Sequence, residues 1–215
     1  MALKRIGVLL VDDHPLIHAG VEWALRDKKD LRLVGACFSC AEAIAIVEQT
    51  EPDIVIIDLR LPDGEGLDLV RRLVDRTPPI PTLVFSSMDE DLYAERVLRA
   101  GAKGFLQKNG AIELLIAAIR TIAKGKIFLS ETMHQKMASI IGRSGARDPL
   151  DSLSNRELQV FELIGQGKST RQIAEHLGRS VKTIETYRDR LRKKLGLDSG
   201  TELTHVAIQR ASQST

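Results

Sequence analysis

Two adjacent aspartates, Asp12 and Asp13, a third acid at Asp58, a hydroxyl at Ser86 and an amine at Lys108 each stand at the end of a short apolar run. Carboxylates crowded around one point repel each other unless a cation joins them. An oxygen-rich, partly hydrated cluster of this kind suits magnesium, which takes one or two carboxylates, keeps several waters and meets phosphate oxygens. A carboxylate can also act as a nucleophile and carry a phosphoryl group as an aspartyl phosphate. In such a site Lys108 would hold one phosphoryl oxygen and the Ser86 hydroxyl would donate to another. Taken singly, an Asp after a strand is a turn former or helix cap, and a Ser there is merely polar. The recurrence at successive run ends is what points to chemistry.

The elements that must position these groups follow from the runs themselves. Ile6 to Val11, Ile54 to Ile57, Thr82 to Phe85 and Gly104 to Leu106 are continuous rather than alternating, as expected for parallel strands covered on both faces. The C-terminal ends of such strands share one edge, where open α/β folds place their sites. Arg32 to Ala36 reads as a further strand. Between the strands, Pro15 to Arg26 carries Leu16, Ala19, Gly20, Trp23 and Ala24 at helical spacing, with Pro15 suited to a first turn. Further helices are expected at Ala41 to Gln49, at Leu67 to Asp75 before Pro78 and Pro79, at Glu90 to Arg99, and at Ala111 to Lys124 before Gly125. Strands alternating with helices predict an α/β sheet domain.

Residues 1 to 127 resemble the receiver domain of bacterial two-component response regulators. The motifs that carry the resemblance are VLLVDDHP at the start, IIDLRLPDGEG around Asp58, LVFSS at Ser86 and GAKGFLQK at Lys108. The resemblance implies a flavodoxin-like five-stranded parallel sheet in strand order 2-1-3-4-5. It also implies that Asp58 accepts phosphate from a histidine kinase and that Mg2+ is held by Asp13, Asp58 and the Arg60 backbone carbonyl, with Asp12 assisting through water. Ser86 and Phe105 would form a switch pair. A phosphoryl group adds about two negative charges, drawing the Ser86 hydroxyl inward and opening space for the Phe105 ring, which would reshape the face made by the fourth helix, fifth strand and fifth helix. Asn109 stands where most receivers place a proline after the lysine. The cis bond usual there would cost about 2.5 to 4 kcal/mol before a non-proline.

Beyond Gly125 the pattern changes. Ser130 to Ile141 could form one more helix, and Gly142 to Ser152 reads as a flexible linker, so the division expected is 1–127, linker 128–152, and 153–215. The net charge of +2 is unevenly spread: residues 150–215 carry 11 Lys and Arg against 8 Asp and Glu, or +3, leaving −1 for the rest. Ser154 with Glu157 and Ser169 with Gln172 form capping boxes, and Leu153 with Leu158 a staple. Helices are expected at Asn155 to Gly165, Thr170 to Leu177, Val181 to Leu195 and Thr201 to Arg210, with Gly178 turning the chain between the second and third.

A short capped helix, a glycine turn and a longer basic helix make a helix-turn-helix, whose second helix enters the DNA major groove. On Val181 to Leu195 the apolar stripe runs through Ile184, Leu191 and Leu195 with Tyr187 beside it. The opposite face presents Lys182, Glu185, Thr186, Asp189 and Lys193, with Arg190 on its shoulder. Basic groups at Lys182, Arg188, Arg190, Arg192, Lys193 and Lys194 suit phosphates, while Glu185 and Thr186 are well placed for base edges, and Thr183 is counted with them among the DNA-binding candidates. Charge alone does not separate this from a solvated helix face, since Glu185 and Asp189 dilute the positive field. The stretch LSNRELQVFELIGQGKSTRQIAEHLGRSVKTIETYRDRLRKKLGL, however, is similar throughout to the LuxR-type output domain. Both halves together resemble a NarL/FixJ-type response regulator. That implies double-stranded promoter DNA as a partner, two half-sites, a homodimer formed on phosphorylation, and a phosphoacceptor rather than an enzyme, with slow autodephosphorylation at most.

The remaining residues narrow the alternatives. No apolar stretch approaches the roughly 18 residues that span a membrane, and the N-terminus leads straight into a strand, so a cytoplasmic protein is expected. Cys37 and Cys40 form a lone C-x-x-C with no second pair to complete a zinc site, and read as small reduced residues at a strand-to-helix junction. The five histidines show no paired ligand spacing and read as surface or packing residues. A phosphatase with an aspartyl intermediate would want an acid two positions after the nucleophile, where Arg60 stands. A helical tail that binds protein rather than DNA is the other rival.

Overall fold

The structure, a computed structural model, describes residues 5–110, 112–131, 133–134 and 149–213. The chain divides into two compact units, 1–139 and 140–215. The expected helix at Ser130 to Ile141 and most of the linker lie outside the described residues.

The first unit is built on strands β1 (Ile6–Val11), β2 (Leu31–Cys37), β3 (Ile54–Ile57), β6 (Thr82–Ser86) and β7 (Phe105–Gln107). All are parallel, in the order β2-β1-β3-β6-β7, which is the 2-1-3-4-5 order expected. Helices α1 (Pro15–Arg26), α2 (Cys40–Thr50), α3 (Gly66–Val74), α4 (Glu90–Arg99) and α5 (Ile112–Ala123) connect them. The side chains of β1, β3 and β6 alternate sides and are buried almost throughout, so both faces of the sheet are covered at its centre, whereas edge strand β2 leaves Arg32 and Ala36 exposed. Val8, Leu10, Ile54, Ile56, Leu83 and Phe85 share one core with Val21, Ala24 and Leu25 of α1 and Leu115, Ile119 and Ile122 of α5.

Two details depart from what the sequence predicts and a third accords with it. A minimal antiparallel ladder, β4 (Arg60–Leu61) with β5 (Gly64–Glu65), forms in the turn after β3. Helix α1 has the expected bounds, yet Leu16, Ala19, Gly20 and Trp23 face outward, and Val21, Ala24 and Leu25 pack inward. Both sets recur at helical spacing; the sheet takes the one richer in branched aliphatic side chains. The only cis peptide bond among the described residues is Thr77–Pro78, so the bond before Asn109 is trans.

The second unit is helical. A 3-10 turn (Pro149–Ser152), placed in the linker by the sequence reading, precedes α6 (Asn155–Gly165), α7 (Thr170–His176), α8 (Val181–Leu195) and α9 (Gly200–Gln213). Both capping boxes are formed, each with the Ser side chain accepting from the third helical N–H and the Glu or Gln returning to the Ser N–H. Leu153 and Leu158 are both buried, as a staple requires. Gly178, at φ 60°, turns α7 into α8, a left-handed conformation that glycine adopts without steric cost. Leu158, Phe161, Ile173, Ile184, Leu191 and Leu203 are all buried. No helix among the described residues is long and apolar enough to cross a membrane.

Candidate functional site

The sheet delivers the chemical groups through its own ladder. The Asp12 N–H donates to the Cys37 carbonyl at 3.0 Å, the Asp58 N–H to the Val11 carbonyl at 2.9 Å, and the Lys108 N–H to the Ser86 carbonyl at 2.9 Å. Each functional residue is thus the last rung beyond its strand, so its position is set by strand pairing rather than by a loop. Asp12, Asp58 and Ser86 are fully buried.

At that edge Lys108 Nζ lies 2.6 Å from Asp58 Oδ2 and 2.7 Å from Asp12 Oδ2. The Ser86 hydroxyl donates to Asp58 Oδ1 at 2.7 Å, and the Arg60 N–H approaches the same oxygen at 3.4 Å. Asp12 Oδ2, although buried and ion-paired, receives no hydrogen bond: the ammonium is near it without the angle of a donor. Two buried carboxylates against one ammonium leave a net negative charge, which the low dielectric of the site magnifies. Phe105 is buried on β7, opposite Val84 of β6, while Asp13 stays exposed.

His14, read from the sequence as a surface or packing residue, belongs to this cluster. Its Nδ1 lies 3.1 Å from Asp12 Oδ1 and 2.6 Å from Asp13 Oδ1, and its N–H donates to Asp12 Oδ1 at 3.0 Å. Ligand atoms of Asp12, Asp13, His14 and Asp58 all lie within 4.8 Å of one another. The signal available beforehand was adjacency alone: His14 sits between the acid pair and the first helical Pro15. His18 stacks on Phe38 with ring centroids 4.3 Å apart, and its Nε2 is 2.7 Å from the Asp12 carbonyl.

The turn after Asp58 is held by backbone fit. A Cβ on Gly66 would stand 2.0 Å from the Asp58 carbonyl oxygen, so only glycine lets α3 begin there. Asp63 accepts from the Cys40 and Ala41 N–H groups, both at 2.9 Å. Burial pushes its carboxyl up, but those backbone bonds outweigh it and hold it below the ordinary range. Cys37 and Cys40 are free thiols, and burial pushes them up to about 12 and about 11, far from the low values that make a thiol reactive.

In the second unit α8 buries Ile184 and Leu191 and exposes Lys182, Glu185, Thr186, Asp189, Arg190 and Lys193. Thr183 is half-buried at the helix start, with its hydroxyl 2.8 Å from that of Ser180. Two of the expected phosphate-facing cations, Arg188 and Lys194, are engaged elsewhere. Arg188 is half-buried, its guanidinium reaching Thr204 at 3.5 Å, and burial lowers its affinity for a proton. Arg192 is half-buried. Lys194 donates to Glu157 Oε2 at 2.7 Å and to the Ser152 carbonyl at 3.1 Å. Burial raises the Glu157 carboxyl, but Lys194 and Ser154 more than offset that and leave it below its ordinary value.

A parallel sheet with an acid cluster, serine and lysine at its C-terminal edge, followed by a capped helix-turn-helix, is the plan of a two-component response regulator. Comparison with known proteins makes this specific. Residues 8–120 match the family described as response regulator receiver domain, and residues 151–207 match bacterial regulatory proteins, luxR family. The chain is 34% identical over 205 residues to response regulator UvrY of Escherichia coli strain K12, covering 95% of this chain and 94% of that one. It is 33% identical over 210 residues to oxygen regulatory protein NreC of Staphylococcus carnosus, covering 94% and 97%. Among solved structures it resembles RcsB of Salmonella enterica serovar Typhimurium bound to a promoter in the presence of phosphomimetic BeF3-, with TM-score 0.60, 25% identity and coverage of 94% and 97%. The chain belongs to the NarL/FixJ-type response regulators, in which a receiver domain is joined to a LuxR-type DNA-binding domain that regulates transcription.

Proposed function

We propose that Asp58 takes a phosphoryl group from a phosphohistidine of a histidine kinase and that the modification controls how the C-terminal helices bind promoter DNA. One observation carries the reading: both oxygens of a buried aspartate at a strand end are met by a lysine at 2.6 Å and a serine at 2.7 Å. In the transfer a carboxylate oxygen of Asp58 forms the new O–P bond. The N–P bond of the donor histidine breaks, and its electron pair stays on the imidazole nitrogen. Lys108 then faces a phosphoryl oxygen in place of the Asp58 carboxylate it now pairs, and the Ser86 hydroxyl turns from Asp58 to another, with Phe105 following as the second member of the switch.

The donor set fits a hard divalent cation, because it is all oxygen apart from His14 and includes a buried carboxylate oxygen that no hydrogen bond serves. Asp13, Asp58 and the Arg60 carbonyl would hold Mg2+, with Asp12 joined through water. When bound, it neutralises the incoming phosphoryl oxygens.

Residues 1–127 form the receiver, 128–152 the connection and 153–215 the output domain in this reading. Lys182, Arg190 and Lys193 meet phosphates, Thr183, Glu185, Thr186 and Asp189 stand along the base edges, and Arg188 supports the helix from its buried side. A domain of this size gains affinity and specificity by pairing over two half-sites about one helical turn apart; that RcsB, which this chain resembles, binds a promoter supports DNA as the partner. Labelling with acetyl phosphate and Mg2+ tests the acceptor: the wild-type chain gains one acid-stable, base-labile phosphoryl group and Asp58→Asn gains none. Unchanged labelling of Asp58→Asn would falsify the assignment.

A further inference from the structure

Helix α8 holds a carboxylate in the middle of the face it turns to solvent. Lys182, Glu185, Thr186, Asp189, Arg190 and Lys193 are all exposed there, with a lysine at either end and Glu185 one turn in from the first. A solvated helix face would explain the acid if a cation stood four residues away. The residues at that spacing are Val181 and Asp189, and like charges four apart weaken a helix. Asp189 lies 4.0 Å from the Arg192 guanidinium, whereas Glu185 has no hydrogen bond or ion pair among the described residues. Neither packing nor helix stability accounts for an acid at this position.

Its hydroxyl neighbours are already committed. Thr186 donates to the Lys182 carbonyl at 3.0 Å, and the Thr183 hydroxyl is shared with that of Ser180 at 2.8 Å. Glu185 is thus the side-chain acceptor that the first two turns of α8 leave open. A carboxylate repels every phosphate it nears, so on a helix that faces DNA it is stabilised only by a donor on a base edge. In the major groove the donors are the N4 amine of cytosine and the N6 amine of adenine, while guanine shows only acceptors and thymine an acceptor and a methyl group. Adenine sets its N7 acceptor beside the amine, where it opposes a carboxylate; cytosine presents the amine alone.

We propose that Glu185 is a specificity-determining residue that accepts a hydrogen bond from the N4 amine of a cytosine in each half-site. The inference deepens, and rests on, the reading that α8 lies in the major groove. The carboxylate acts twice: it is satisfied at cytosine, and it is repelled by base acceptors and by the backbone wherever the helix sits on the wrong sequence. Lys182, Arg190 and Lys193 supply attraction that is blind to sequence, and Glu185 opposes that attraction everywhere except at the right base. The wild-type helix is thereby weaker on random DNA and sharper in its choice of sites.

Selection of bound duplexes from a randomised pool, with the full chain treated with acetyl phosphate and Mg2+, reads the assignment. The wild-type chain should enrich half-sites with a fixed C·G pair. Glu185→Gln should convert that pair to A·T, since the N6 and N7 of adenine suit a side-chain amide, and Glu185→Ala should leave the position without preference. On an enriched duplex, replacing the cytosine by a pyrimidine analogue that lacks the amine should weaken wild-type binding by about tenfold and leave Glu185→Ala little changed. Glu185→Ala should also bind a random duplex about threefold tighter than the wild type at equal salt. Thermal unfolding should be unchanged in both variants because the position is exposed. Half-sites that keep the same bases in both variants, a position dependent on Glu185 that holds A·T in the wild type, or no loss on removing the amine overturns the assignment and leaves DNA binding standing. A wild-type chain that labels with phosphate yet enriches no duplex overturns it together with the reading of α8 as the DNA-binding helix.

Discussion

The two units hold their functional charges in opposite ways. In the receiver, Asp12 and Asp58 are fully buried and Lys108 is mostly so, each fixed by a backbone bond to a neighbouring strand. In the output unit, Lys182, Glu185, Arg190 and Lys193 stand in solvent on one side of α8. Buried charges are expensive unless paired, so their positions are interdependent and removal of one strands the others. Exposed charges are nearly independent of the fold and are free to respond to whatever approaches. The first arrangement suits a covalent switch that must be exact in geometry; the second suits a polyanionic surface met from outside.

Substitutions can break or sharpen that contrast. The largest effect is expected from Lys108→Met, which leaves two buried carboxylates without their cation; the receiver should lose about 3 to 5 kcal/mol of stability in magnesium-free buffer, read by denaturant unfolding, and should regain much of it when Mg2+ is added. A smaller loss, about 2 to 3 kcal/mol, is expected from Glu157→Ala in the output unit, since Glu157 completes a capping box and pairs with Lys194. Because the folded carboxyl lies below its ordinary value, its contribution is fully present above the unfolded value and fades as pH falls through the folded one. Acid unfolding of the output unit should therefore steepen below about pH 4.5, and Glu157→Ala should make that dependence shallower. Lys193→Ala tests the exposed class: stability should stay within about 0.5 kcal/mol, while the slope of log affinity for DNA against log salt falls by about one. The smallest effect belongs to Asp30→Asn, which removes the bond from Arg120 that holds this carboxyl below its ordinary value; as both groups are over two-fifths exposed, the loss should be under about 1 kcal/mol.

The contrast also explains what could be read from the chain alone. Strand ends that bury charge leave a joint pattern, and the acids, serine and lysine of the receiver were legible because each closes an apolar run. The capping boxes of α6 and α7 were legible for a similar reason: they are local, and hydrogen bonds three residues apart need no tertiary context. Orientation was harder. Helix α1 offers two apolar sets at helical spacing, and only the sheet decides that Val21 and Leu25 go in while Leu16 and Trp23 stay out. Arg188 and Lys194 look like their neighbours in a basic run, and their turn toward Thr204 and Glu157 depends on residues far along the chain. His14 was passed over because no spacing rule marks it; its role follows from the way the chain bends between Asp13 and Pro15. The β4–β5 ladder, two residues a side, is too short to leave any periodic trace.

Gly66 carries no reactive atom, yet its missing side chain is what lets the peptide of Asp58 lie where it does. In a saturation library scored for signalling, codon 66 would look as intolerant as codon 58, the proposed acceptor, and a survey of fitness alone would mistake an architectural vacancy for a participant in the reaction.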